Sequence, residues 1–197
     1  MTISPHPEAA KFLSRVEALG TAWHGSFDDE LYRFINPAYS KADDIANGAG
    51  AFHASGRWNV KGSFRLSYTA LEPETALAEA LAHVRYFKLP ASKALPRVLV
   101  SLRLKAKRVV DLRDGDLRRK LRLSDKTIRS LDWRKDNFSG KTAVTQAWGE
   151  AFAKSGLEAL IVPSAAAPTG ANVLVFPGNL LHGSSFEVID EVKWPAP

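Results

Sequence analysis

None of the 197 residues is a cysteine, which removes a disulfide framework, a thiolate metal site and a cysteine nucleophile together. No run of about 18 apolar residues occurs, so no membrane-spanning helix is predicted. Met1 to Pro7 is polar and lacks the apolar stretch of a signal peptide, and a cytoplasmic protein is expected. There is no G-x-x-x-x-G-K-S/T, which excludes a P-loop, and no G-x-S-x-G, which excludes a hydrolase elbow. The five histidines (His6, His24, His53, His83, His182) are scattered with no H-x-x-x-H pair, so no metal site is expected. Gly48-x-Gly50 has no third glycine three residues later and no helical pattern directly behind it. A dinucleotide fingerprint requires both.

What is present is a chain of ordinary globular composition, 45% hydrophobic and 24% charged, long enough for one domain with its own core. Its net charge of +6 favours anionic ligands or partners. The cations crowd between Arg97 and Lys141. The plain reading of that stretch is a solvated helical face. The sharper readings are a surface for an acidic protein or for nucleic acid. Zinc-finger spacing and an RNP-like aromatic strand are both lacking, which disfavours nucleic acid.

Periodicity predicts a mixed order of elements. Glu8 to Leu19 carries Phe12, Leu13, Val16 and Leu19 at helical spacing, with Gly20 as its stop. Leu31 to Ile35 reads as a strand ended by Asn36-Pro37, and Phe64 to Leu71 as another. Pro73 opens a helix whose apolar stripe is Ala76, Leu77, Ala80, Leu81, Val84 and Phe87, with Glu79 at its edge. Val98 to Leu104 and Val109 to Leu112 read as two strands. Asp116 to Leu123 and Asp125 to Trp133 read as two short basic helices, and Thr142 to Lys154 as an amphipathic one. Leu157 to Val162 and Asn172 to Phe176 are apolar strands stopped by Pro163 and Pro177. In a last alternating strand Phe186, Val188, Asp190, Val192 and Trp194 share a face, and the Pro195-Ala196-Pro197 tail is expected to be loose. Strands and helices do not alternate strictly, so the predicted class is α+β with mixed or antiparallel sheets and flanking helices.

The segment from Gly48 to Gly62 holds four glycines, Arg57 and Trp58 between two strand-like runs. Glycine admits close backbone approach, and a guanidinium fork suits phosphate, so this loop is a candidate phosphate-ligand site. Arg33, Arg57, Tyr68, Glu79 and Ser164 form a spaced set of polar candidates, each with a structural alternative. Arg33 reads equally as a surface charge, Arg57 as a turn staple through carbonyls, and Tyr68 as core. Glu79 reads as solvated, and Ser164 as a cap or turn residue.

Taken together, Tyr32-Arg33, Gly56-Arg57-Trp58-Asn59, Tyr68, Ala78-Glu79 and Pro163-Ser164 with Asn172 resemble the RES domain family. The even spacing of eleven from Arg57 to Tyr68 and from Tyr68 to Glu79 belongs to the resemblance, which runs from about Leu31 to Phe176. It implies an ADP-ribosyltransferase-toxin-like fold and a toxin of a type II toxin–antitoxin pair that splits the nicotinamide–ribose bond of NAD. ADP-ribose then goes to a protein, to water or to phosphate. NAD is a substrate in this reading and no resident cofactor is implied. The implied catalytic residues are Glu79, Arg33 and Ser164, and the implied NAD-binding residues are Arg57, Tyr68, Tyr32, Gly56 and Asn172. Tyr68 would pack on the nicotinamide, the arginines would hold the pyrophosphate or ribose, and Asn172 would fix the nearby loop. An antitoxin with an Xre-like DNA-binding region is the implied partner, lying over the mouth near Arg33 and Arg57. Residues 1–25 then read as a helical extension and 26–197 as the catalytic domain, with no membrane contact. The competing reading is a basic, non-enzymatic nucleic-acid-binding module, which would bind with steep salt dependence and be indifferent to Glu79→Ala.

Overall fold

A strand whose two faces are both covered has no polar side, and two strands here have that character. β4 (Ala159–Pro163) is buried at every position and β5 (Ala171–Val175) at all but Asn172. The computed structural model, which describes residues 3–37, 45–95 and 97–194, places them at the centre of a mixed sheet. The other strands are β1 (Gly25–Ile35), β2 (Ser67–Ala70), β3 (Arg97–Asp111) and β6 (Ser185–Trp194). The order is β1-β2-β5-β4-β3-β6, and β1 pairs a second time with β3, so five strands close into a ring with β6 outside it. β3 and β4 are parallel, and every other pairing is antiparallel. The α+β class with a mixed sheet is therefore as the sequence predicts.

The ring interior holds Leu31, Leu104, Val109, Ile161, Val173 and Val175, with Ala106, Ala159 and Ala171 where space is tightest. Alternate residues of the same strands, among them Val110, Leu160, Val162 and Leu174, face outward into a second core under the helices. There α1 (Ala9–Glu17) lies against α7 (Val144–Lys154). Phe12 stacks on Trp148 with ring centres 4.4 Å apart and planes 13° apart, so the first helix shares the main core.

Several boundaries differ from expectation. β1 starts at Gly25, six residues earlier than expected, because its polar first half pairs edge-on with β3 and leaves its side chains in solvent. β2 is confined to Ser67–Ala70. The two strands expected between Val98 and Leu112 are one continuous strand. Val98, Val100, Leu102, Leu104 and Ala106 keep alternating inward while Arg103 and Lys105 point to solvent. Hence the basic stretch is not one helical face: its first third is β3. The remainder forms three short helices rather than two, α4 (Gly115–Leu121), α5 (Asp125–Ser130) and α6 (Trp133–Phe138). Asp114, Ser124 and Asp132 each cap the helix that follows by accepting a backbone N–H, and these three caps split the run. The face expected of β6 is interrupted, since Val188 and Asp190 oppose the adjacent residues Leu102 and Ser101 and Ile189 bulges out, 51% exposed. The side chains of Val192 and Trp194 and the Pro195–Pro197 tail lie outside the described residues.

Of the elements around the ring, two more position the site. A short helix α2 (Ala49–His53) opens the Gly48–Gly62 loop. The helix α3 (Pro73–Tyr86) begins with Pro73 in its first turn and Glu72 extended before it. It lays Ala76 and Val84 on the protein, whereas Phe87 is 46% exposed rather than part of the buried stripe. β1 and β2 are joined by a single residue pair, Tyr32 with Ala70. The ring is weakest at this seam, and the principal cleft opens beside it.

Candidate active site

The cleft has a volume of about 1210 Å³. It is lined from β1 by Tyr32 and Arg33, from the glycine loop by Gly56 and Arg57, from β2 by Tyr68, from α3 by Glu79, and from β5 by Asn172. The structure thus gathers seven of the eight sequence candidates on one surface, and the eighth, Ser164, stands directly behind Glu79. Among the described residues, no three His, Cys, Asp or Glu side chains converge as a metal site.

Glu79 is the centre of this arrangement. Its Oε1 accepts from Ser164 Oγ at 2.6 Å and from Asn172 Nδ2 at 2.6 Å. Ser164 follows the end of β4 and is buried. Its Oγ accepts from the backbone N–H groups of Ala166 at 3.1 Å and Ala167 at 3.0 Å. With those lone pairs engaged, its hydroxyl hydrogen is the one left for the carboxylate. Ser164 is thus both the turn residue of the structural alternative and the partner of Glu79. Asn172 reaches across to Glu79 rather than to a loop, and its buried Oδ1 has no hydrogen-bond partner among the described residues.

The two arginines differ. Arg33 Nη1 donates to Ser67 Oγ at 3.3 Å, and Ser67 in turn donates to the Ile45 carbonyl. Burial pulls the Arg33 guanidinium below its ordinary pKa, with Tyr68 acting the other way. Arg57 spends Nη1 on two carbonyls at the end of α5, Ile128 at 3.1 Å and Leu131 at 2.8 Å. This is the staple that the structural alternative described, and it leaves the rest of the fork on the cleft. Burial lowers the Arg57 pKa, Glu79 opposes that, and Arg134 adds to it, which places all three charges around one space.

The G-R-W-N turn is built from within. Tyr68 Oη accepts from Trp58 N at 2.9 Å and donates to Asn59 Oδ1 at 2.8 Å. Burial drives the Tyr68 pKa well above the ordinary tyrosine range, so the hydroxyl stays protonated and available for this bridge. Asn59 Nδ2 binds the carbonyls of Ala51 and Ala54, and Gln146 Nε2 binds those of Gly56 and Asn59. A Cβ on Gly56 would meet Tyr68 Oη and Asn59 Oδ1, so the missing side chain admits that bridge. Trp58 is core, 2% exposed. Tyr32 packs with Phe34, Ala70 and Ala76, and burial followed by Glu30 raises its pKa.

Sequence reasoning missed Gln146, which organises this turn, and one stretch of the cleft wall, formed by the end of α3 and by α6. There Tyr86 and Trp133 flank Arg134. The one signal for that wall was the adjacency of Trp133 and Arg134 inside a run of cations, which carries no meaning until the fold sets it against α3.

A closed mixed sheet with helices on its outer face thus carries a cleft in which a serine- and asparagine-held glutamate and two arginines share the lining. Residues 30–195 match the RES domain, and the chain belongs to that family. No curated protein matches the chain significantly. Among solved structures it is similar to a chain in the crystal structure of the M. tuberculosis MbcT–MbcA toxin–antitoxin complex. The TM-score is 0.73 at 22% identity, over 92% of this chain and 91% of that one. This likeness shows that the two share a fold.

Proposed function

We propose that the chain is the toxin of a toxin–antitoxin pair and that it cleaves the nicotinamide–ribose bond of NAD. The observation that carries this reading is the Glu79 carboxylate, with one oxygen fixed by Ser164 and Asn172 and set in a cleft beside Arg57. Membership of the RES domain family and the toxin–antitoxin complex of the structural neighbour support it.

In this mechanism the bond between ribose and nicotinamide breaks with its electron pair passing to the pyridinium nitrogen. Nicotinamide leaves neutral, so no strong general acid is needed. The ribose carbon becomes cation-like, as in glycoside hydrolysis. The Glu79 oxygen not held by Ser164 and Asn172 stabilises that cation and accepts from the ribose 2′-hydroxyl. Its field acts in a half-buried site, where it is screened less than in water. Arg33 orients the ribose, Arg57 meets the phosphates, and the Tyr68 ring lies along the nicotinamide. A nucleophile (water, phosphate or a protein side chain) then bonds to the ribose carbon and releases its proton.

Partner capture follows from the same surface. Phe87 and Phe138 stand on the rim of the cleft, and Phe138 is 71% exposed. An apolar rim around a cationic mouth suits a partner segment with apolar and acidic residues, such as an antitoxin carrying an Xre-like DNA-binding region.

The test is incubation with labelled NAD, with and without phosphate and cell extract. Label on a protein band identifies transfer, ADP-ribose 1″-phosphate identifies phosphorolysis, and free ADP-ribose identifies hydrolysis. Glu79→Gln should slow all three by about 10²–10³-fold or more. NAD left intact by the wild-type chain under every condition would overturn the reading.

A further inference from the structure

The cleft is also lined by the C-terminal end of α3 and by α6, where no motif residue of the family resemblance lies. The Arg134 guanidinium carbon lies 4.4 Å from the centre of the Trp133 ring and 4.6 Å from that of Tyr86. The Tyr86 ring is itself fixed, its hydroxyl donating to the Asp132 carboxylate at 3.1 Å and 3.3 Å. A guanidinium held by ring faces keeps its N–H edge free. Among the described residues Arg134 makes no ion pair and donates no hydrogen bond. It shares the cleft with Arg57, one nitrogen of which is already committed to the Ile128 and Leu131 carbonyls. The two guanidiniums repel across the space they share, the Glu79 and Asp132 carboxylates near Arg57 offset part of that, and an anion lying between the two forks would offset more. A diphosphate offers an oxygen pair to each fork.

We propose that Arg134, oriented by Tyr86 and Trp133, grips the diphosphate of a nucleotide together with Arg57 and sets the preference of the cleft for nucleoside diphosphates over monophosphates. The identification of that nucleotide as NAD rests on the function proposed above; the diphosphate grip does not. The size of the cleft accommodates both halves of a dinucleotide, with Glu79 and Arg134 both on its lining.

Calorimetric titration of the full chain with ADP and AMP tests the grip directly. ADP should bind more tightly than AMP. Arg134→Gln should weaken ADP about ten- to a hundredfold, with a smaller effect on AMP. Arg134→Lys should restore only part, because an ammonium keeps the charge and loses the fork and the ring contacts. A wild-type chain that does not bind ADP, or an Arg134→Gln chain of unchanged melting temperature and unchanged ADP affinity, would overturn the proposal. Turnover separates this from the parent reading. If the wild type consumes NAD, Arg134→Gln should raise KM more than it lowers kcat, and an unmoved KM would sink the role of Arg134 alone. If the wild type leaves NAD intact, the NAD reading falls and ADP affinity still decides the role of Arg134.

Discussion

Ser164 donates its hydroxyl to Glu79 across 85 positions of chain, at 2.6 Å, and the same carboxylate oxygen takes the Asn172 amide at 2.6 Å. One oxygen of Glu79 is therefore fully engaged, and the carboxylate plane is set by two groups on β5 and the end of β4. What faces the cleft is an oriented oxygen, without the rotational freedom of an exposed glutamate.

If the chain cleaves NAD as proposed, removing that orientation should slow the cleavage without abolishing it. Ser164→Ala loses one charge-assisted hydrogen bond and is expected to lower kcat roughly ten- to a hundredfold with little change in KM. Glu79→Gln keeps the shape, loses the charge, and is expected to cost about 10²–10³-fold or more. The two act as one unit, so the double variant should be no slower than Glu79→Gln alone. Steady-state NAD consumption by all three variants checks this. Multiplying penalties would show that Ser164 acts independently of the glutamate.

Tyr68 is expected to matter first for stability. Tyr68→Phe leaves the Trp58 N–H and the Asn59 Oδ1 without their bridge, at a cost of about 1–3 kcal/mol read from the denaturant midpoint. Gly56→Ala should also destabilise, because its Cβ meets the Tyr68 hydroxyl. It should cost less in the Tyr68→Phe background, where that oxygen is gone. Equal costs in both backgrounds would place the obstruction elsewhere.

The sequence made the two central strands legible because both faces of each are buried, which leaves uninterrupted apolar runs stopped by Pro163 and Pro177. It hid the continuity of β3 for the opposite reason. Lys105, Lys107 and Arg108 look like a break, yet Ala106 between them still points inward, and the strand bulges where it pairs with β1 between Gly25 and Phe27. In the cleft, Glu79, Ser164 and Asn172 were readable as a set through the resemblance, although Asn172 had been expected to hold a loop. Arg134 was not readable, since only the packing of α6 against α3 separates it from the other cations between Arg97 and Lys141. Gln146 was hidden likewise: a helical glutamine reads as surface until the reciprocal amide pair with Asn137 is seen.

Gly149 inverts a common expectation. Glycine inside a helix ordinarily costs about 1 kcal/mol relative to alanine, so Gly→Ala there usually stabilises. Here a Cβ at Gly149 would collide with the Trp58 carbonyl, backbone on backbone, in the middle of the main core. Gly149→Ala should therefore destabilise by about 1–3 kcal/mol or more, and it should impair turnover by displacing the Gly56–Asn59 turn that carries Arg57. A melting temperature at or above the wild-type value would refute the tight contact between α7 and that turn.

Glu158 should make the fold acid-sensitive. It is buried, and its Oε2 accepts from the backbone N–H groups of Lys107 at 2.7 Å and Arg108 at 2.8 Å, the two residues at the β3 bulge. Its Oε1 accepts from Leu181 N at 3.0 Å, which ties the loop before β6 to the same point. Burial alone would raise its pKa; the Leu181 amide, the neighbouring Ser184 hydroxyl and the Lys107 and Arg108 amides outweigh that and hold it below the usual carboxylate value. A folded pKa below the unfolded value of about 4.3 means that the contribution is complete above that unfolded value. It is lost as pH falls through the folded one. Urea unfolding from about pH 5 to about pH 3 should therefore show a steeper loss of stability for the wild type than for Glu158→Gln. The variant should be less stable near neutrality, since its amide presents hydrogens to backbone donors, and its curve should be flatter in acid. Parallel curves for the two chains would mean that the bulge amides do not depend on this carboxylate.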